Sequence, residues 1–180
     1  MALQELFTYP GANPYCVQEA VKRIGQSDLT GALGLIGKQH DPWLIHDALE
    51  MCPDDFTQLQ INRAIESAYC RDEMPSKYRR DLWEYLIDNW YKPARKYNRR
   101  KLPDSLTVYR GGVWNGWSWT TDLEKARWFQ QRWQLVDSCT CELWKTTITA
   151  DDVLFFGRDD ESEVVLDHKR LQDLELEETV

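Results

Sequence analysis

The chain has 180 residues, a formal net charge of −8 and 42% hydrophobic residues, including nine Trp, eight Tyr and five Phe. That is enough apolar and aromatic bulk for one folded core, which excludes wholesale disorder, and the acidic balance argues against general nucleic-acid affinity. No apolar run approaches the roughly 20 residues that span a bilayer, and the start Met1-Ala2-Leu3-Gln4-Glu5 lacks the basic and apolar stretches of a secretory signal. The expectation is a soluble, cytoplasmic protein.

The first part of the chain carries a helical period. Pro14 precedes Tyr15–Ile24, with apolar residues at helical spacing and Gly25 as a stop. Leu29–Ile36 is apolar but broken by Gly31 and Gly34, so helix is expected with open ends. Trp43–Met51 and Asp54–Tyr69 follow, the latter with Asp54 or Asp55 as cap. Ser76 is placed to cap a further helix running to about Tyr91, where Pro93 stops it. Residues 92–105 read as a basic connection.

At Leu106 the period changes from helical to alternating. Strands are expected at Leu106–Arg110, Trp117–Thr120, Cys141–Thr149, Val153–Phe156 and Glu163–Leu166. Thr121-Asp122-Leu123-Glu124 fits a capping box, with Thr121 bonding the backbone of Glu124, ahead of a helix carrying Ala126, Phe129 and Trp133. The acidic tail from Asp173 reads as frayed. The pattern is α+β: a helical region over residues 1–100 and a β-rich region over 101–180, expected to pack as one unit because the second alone makes a thin core.

Charge is uneven along the chain. Lys77–Lys101 holds nine basic residues against three acidic ones, and Asp151–Val180 eleven acidic against three basic. The basic stretch suits RNA or a phosphorylated partner, although a solvated helix face and basic linker is the plainer reading. Five cysteines form no Cys-x-x-Cys pair; Cys139 and Cys141 flank Thr140 without further ligands at a recognisable spacing, so no metal is expected. His40, His46 and His168 are assigned no role.

Three polar signals follow one another in the β-rich region: Tyr109-Arg110-Gly111-Gly112, then Gly116-Trp117-Ser118-Trp119-Thr120, then Glu161-Ser162-Glu163. An arginine ending a strand is an anion clamp whose planar fork matches phosphate oxygens. Glycines beside it let a ligand approach the backbone, and a serine serves ribose hydroxyls or a carboxylate. On an extended chain, Glu161 and Glu163 project to one face. One acid there stabilises an oxocarbenium-like sugar while the other orients or deprotonates an acceptor. These parts suit cleavage of a glycosidic bond in a ligand bearing phosphates and an amide, for which NAD is the obvious candidate.

Residues 106–167 resemble the core of the Arg-Ser-Glu class of mono-ADP-ribosyltransferases, which includes bacterial toxins and phage effectors. The match lies in Tyr109-Arg110-Gly111, in Gly116-Trp117-Ser118-Trp119-Thr120 standing for a Ser-Thr-Ser strand with its register open by a position or two, and in Glu161-Ser162-Glu163-Val164-Val165-Leu166. The resemblance implies a split, two-sheet β core with NAD in the cleft. Arg110 holds the phosphates, the Gly111 backbone binds the nicotinamide amide, Ser118 positions Glu163, Glu163 bonds the ribose 2′-hydroxyl, and Glu161 engages the acceptor. Thr120 and Trp117 complete the NAD-binding set; Trp114 and Trp117 are candidates for lining the nicotinamide pocket, with core packing the commoner fate of such rings. Glu161 in the first position goes with a protein arginine acceptor in this family, a nucleic acid being the other class, and the resemblance leaves room for a neutralising partner and for action inside a bacterial host cell. Two rival readings stand beside it: an NAD glycohydrolase using the same site, and a non-enzymatic acidic protein that binds a basic partner.

Overall fold

The first helix is started by Asn13, whose Oδ1 accepts from the Tyr15 amide at 2.9 Å, and by Pro14 in the first turn. The structure, a computed structural model, describes residues 9–73, 75–92, 103–137, 141–175 and 177–178. The chain divides into two compact units, Met1–Lys92 and Pro93–Val180. The central part of the basic connection, residues 93–102, lies outside the described residues, as do Cys139 and Thr140.

The first unit is helical: α1 (Pro14–Ile24), α2 (Leu29–Ala32), α3 (Asp41–Met51), α4 (Gln58–Arg71), α5 (Pro75–Tyr78) and α6 (Arg80–Trp90). Three expectations shift here. The helix expected to run from a Ser76 cap to about Tyr91 is instead α5 and α6, broken at Arg79, with Ser76 inside α5. The apolar segment at Leu29–Ile36 is helical only to Ala32, and the chain turns away at Gly34, whose φ of +79° suits glycine. The cap of α4 is Thr57, in a reciprocal box with Gln60, while Asp54 and Asp55 lie in a preceding 3₁₀ turn. The buried carboxylate of Asp41 joins these pieces, accepting from the Gly34 amide at 2.7 Å and from Arg71 at 2.8 Å. Asp72 accepts from both Arg79 and the Trp83 indole, and Trp83 stands edge-on to Tyr69 in the core.

The second unit is a sheet with one long helix: β1 (Leu106–Gly112), β2 (Ser118–Thr120), α7 (Leu123–Asp137), β3 (Glu142–Ile148), β4 (Val153–Phe156), β5 (Glu163–Leu166) and β6 (Glu177–Glu178). The strands form one antiparallel sheet of six in the order β4-β5-β2-β1-β3-β6. The two separate sheets expected from the resemblance are therefore joined. The join is narrow: β1 and β2 are paired at Tyr109 and Thr120, whereas β1 and β3 pair along seven residues. The tail is not frayed throughout. Glu177–Glu178 pairs with Trp144 and Lys145, the Thr146 hydroxyl donates to the Glu175 carbonyl, and Lys145 meets Glu177 at 3.0 Å.

Paired residues of an antiparallel ladder project to the same side, and neighbours along a strand to opposite sides. One side of the sheet carries Val108, Trp119, Ile148, Val164 and Leu166, packed with Val153 and Leu171 into the core of this unit. Burying an indole as completely as that of Trp119 stabilises by about 3 kcal/mol or more. On the other side α7 lies against β1 at Gly111, where a Cβ would stand 2.1 Å from the Ala126 carbonyl oxygen. The start of α7 is capped by Asp122, whose Oδ1 accepts from the Glu124 amide at 2.9 Å, one residue later than the Thr121 cap expected.

Candidate active site

The strand order sets β5, β2 and β1 side by side, and these are the strands that carry the glutamate, serine and arginine motifs. Across β2 and β5, Ser118 faces Val165 and Thr120 faces Glu163; across β1 and β2, Tyr109 faces Thr120. Ser118, Thr120, Glu163 and Tyr109 therefore share one side of the sheet. Arg110, the next residue after Tyr109, leaves β1 on the opposite side, the side of Trp119.

From there the Arg110 guanidinium reaches the turn between β1 and β2. Its Nε donates to the Val113 carbonyl at 2.7 Å and its Nη1 to the Ser118 carbonyl. Gly116 lies so close that a Cβ there would fall 1.9 Å from Nη2. Arg110 thus meets Ser118 through the backbone and pins the turn, a use of its fork that a phosphate-clamp reading of the sequence does not contain.

Glu163 opens β5 and is half-buried. Its carboxylate accepts from the Arg158 backbone amide at 3.1 Å and lies over Gly157, where a Cβ would stand 2.0 Å from Oε2. Gly157 is bare because the carboxylate occupies that space. The partner facing Glu163 in the ladder is Thr120, two residues beyond the serine expected to position it.

Glu161 is not on the strand. It ends a 3₁₀ turn, Asp159–Glu161, and Ser162 follows in the left-handed region at φ 48°, ψ 40°. The shared strand face expected for the two acids is therefore replaced by a turn that brings them together differently. The Glu161 carboxylate pairs with Arg158 Nη1 at 3.0 Å. Burial raises its pKa, the charges of Glu163 and Asp160 add to the rise, and Arg158 and Lys125 oppose it. The two acids are thus electrostatically coupled despite the missing strand geometry.

Thr120 is buried and fully engaged: its hydroxyl donates to the Glu161 carbonyl at 2.8 Å and accepts from the Asp122 amide at 3.1 Å. It fastens the acidic turn to the start of α7. Trp117 is fully buried with its ring 5.0 Å from that of His168, whereas Trp114 is exposed on the β1–β2 turn. Gly111 is required for the approach of α7, and its ladder partner is Leu143.

The structure thus brings Ser118, Thr120, Glu163 and Glu161 to one region, with Arg110 attached through the Ser118 carbonyl. Sequence reasoning missed Arg158, which touches both acids, and Thr120 as the brace of Glu161. The only signal for Arg158 is its place three residues before Glu161, a spacing that brings side chains together in a tight turn. Among the described residues no group of three or more His, Cys, Asp and Glu is arranged to hold a metal ion, and no helix is long and apolar enough to cross a membrane. Comparison with protein-family models, curated proteins and solved structures finds no match.

Proposed function

We propose that the second unit is an NAD-dependent mono-ADP-ribosyltransferase. The observation that carries this reading is the adjacency of β1, β2 and β5, which sets Glu163 across from Thr120 and ties Arg110 to the serine strand. A second support is the pairing of two acids of different character, one half-buried on a strand and one with a raised pKa on the turn before it.

In this reading Glu163 bonds the 2′-hydroxyl of the nicotinamide ribose and stabilises the positive charge that builds on the sugar as nicotinamide leaves. The Ser118 hydroxyl, on the same side of the sheet as Glu163, orients the ribose, and Arg110 holds the β1–β2 turn that leads into the serine strand. Glu161 orients the acceptor and takes its proton. A guanidinium is the acceptor class that a carboxylate on a turn, already paired with an arginine, fits best. Trp117, enclosed against His168, supports the serine strand from within the core.

The test is incubation of the purified protein with NAD labelled on its adenylate phosphate, together with cell lysate, with nicotinamide release and label on protein and on RNA followed separately. Label on protein supports the reading and label on RNA redirects the acceptor class. Nicotinamide release without label makes the protein a glycohydrolase. No NAD binding by calorimetry and no release reject the enzyme in favour of an acidic binding protein.

A further inference from the structure

Trp43, His46, Asp47 and Glu50 are spaced i, i+3, i+4 and i+7 on α3, so they lie along one side of the helix. Leu44, Ile45, Ala48 and Leu49 fill the opposite side, in the core of the first unit. α6 packs beside α3 and adds Tyr85. Three rings then stand in a row: Trp43 meets His46 at 6.2 Å between centroids, and His46 meets Tyr85 at 5.2 Å. The row opens to solvent at both ends, with Trp43 46% exposed and Tyr85 36%.

Two carboxylates flank the rings. Asp47 accepts from the Tyr9 hydroxyl at 3.0 Å and lies 3.0 Å from His46 Nδ1, and Glu50 accepts from the Tyr85 hydroxyl. Among the described residues neither carboxylate meets a lysine or an arginine. Asp41, Asp72 and Glu73 of the same unit each do, with Arg71, Arg79 and Lys38. No lysine or arginine lies on α3, and Arg80 of α6 is 3.9 Å from Glu84. The phenols therefore fix Asp47 and Glu50 in place without neutralising them. The same bond holds the Tyr85 ring, so the face is set before any ligand arrives.

We infer that this face of α3 and α6 docks a basic segment of a partner protein, with a lysine or arginine side chain seated against Trp43 and Tyr85 and its charge beside Asp47 and Glu50. Ring faces and carboxylates both present negative potential, so the complementary group is a cation on an apolar stem. An acidic peptide, or the anionic surface of a nucleic acid or a membrane, is repelled there. A purely apolar occupant leaves two carboxylates stripped of water and without a counter-charge. A metal ion lacks ligands, since no group of three or more His, Cys, Asp and Glu among the described residues is arranged to hold one. The net charge of −8 steers a basic segment toward the protein. The inference concerns the first unit alone and holds whether or not the second unit is an ADP-ribosyltransferase.

The experiment titrates the full-length protein into a fluorescein-labelled peptide of alternating Arg and Gly and reads anisotropy at low and high salt. Saturable binding that weakens as salt rises is expected. Trp43→Ala weakens it about five-fold or more, and Trp43→Phe, which keeps a ring, about two-fold or less. Glu50→Gln weakens it about three-fold or more. Glu142→Gln removes the same charge from the exposed start of β3 in the second unit and leaves binding unchanged. Urea midpoints establish that each variant is folded. No saturable binding by the wild type overturns the inference. Undiminished binding by a folded Trp43→Ala protein, or equal weakening by Glu50→Gln and Glu142→Gln, overturns it as well, because the peptide then follows overall charge. Self-association that Trp43→Ala abolishes, without peptide binding, gives the face to a second copy and overturns it too.

Discussion

Thr120 stands across from Glu163 in the β2–β5 ladder, and its hydroxyl donates to the Glu161 carbonyl at 2.8 Å. One buried side chain therefore sets the relation between the strand that carries one acid and the turn that carries the other. The same oxygen accepts from the Asp122 amide, so the entry to α7 is fastened at the same point.

Thr120→Val keeps the shape and removes the hydroxyl. The Asp122 amide loses an acceptor and the Glu161 carbonyl a donor, which costs about 1–3 kcal/mol. A urea titration of wild type and variant measures this as a lower midpoint at unchanged slope. Transfer of ADP-ribose to an acceptor falls with it, because Glu161 is no longer held beside Glu163; an unchanged midpoint removes Thr120 as the brace.

Gly111→Ala places a methyl group 2.1 Å from the Ala126 carbonyl oxygen and 2.3 Å from the Gln130 amide nitrogen. Both are helix backbone, which cannot rotate away, so α7 must shift from β1. The expected loss is about 3 kcal/mol or more, at the upper end of overpacking effects. Chemical denaturation checks it, and a loss below about 1 kcal/mol contradicts the close approach.

The raised pKa of Glu161 has a definite sign. The folded protein holds this proton more tightly than the unfolded chain does, so the group's contribution is fully present below its unfolded pKa, about 4.3. It is lost as pH rises through the higher folded value. Glu161→Gln cannot ionise, so its stability relative to wild type should increase as pH is raised from about 4 toward 7. Denaturation midpoints across that range decide the matter; a constant difference means that burial does not set the pKa.

Much of this fold is legible in the sequence. The switch from helical to alternating period at Leu106 marks where the sheet begins, and Val153–Phe156 and Glu163–Leu166 stand as strands with the predicted bounds because each is a short apolar run between polar turns. Pairing is less legible, since alternation says which side a residue faces but not which strand lies beside it. The single joined sheet and the two-residue β6 are set by partners distant in the chain. Caps slipped by small steps: Thr120, Thr121 and Asp122 are all capping residues by type, and the end of β2 decides that Asp122 serves.

The site was legible in its membership more than in its geometry. The left-handed conformation of Ser162 has no glycine or asparagine to announce it, so Glu161 reads as part of the strand when it lies in a turn. Arg110 reads as a clamp open to solvent, but the carbonyls of Val113 and Ser118 that engage it come from a turn whose course no periodicity describes.

The most direct measurement is nicotinamide release from NAD by wild type and Glu163→Gln at equal concentration, with circular dichroism to establish that both are folded. Release by the wild type and a fall of about 10²-fold or more in the variant are expected, because an uncharged amide cannot stabilise the developing cation. Equal release by a folded Glu163→Gln protein, or none by the wild type, contradicts this expectation.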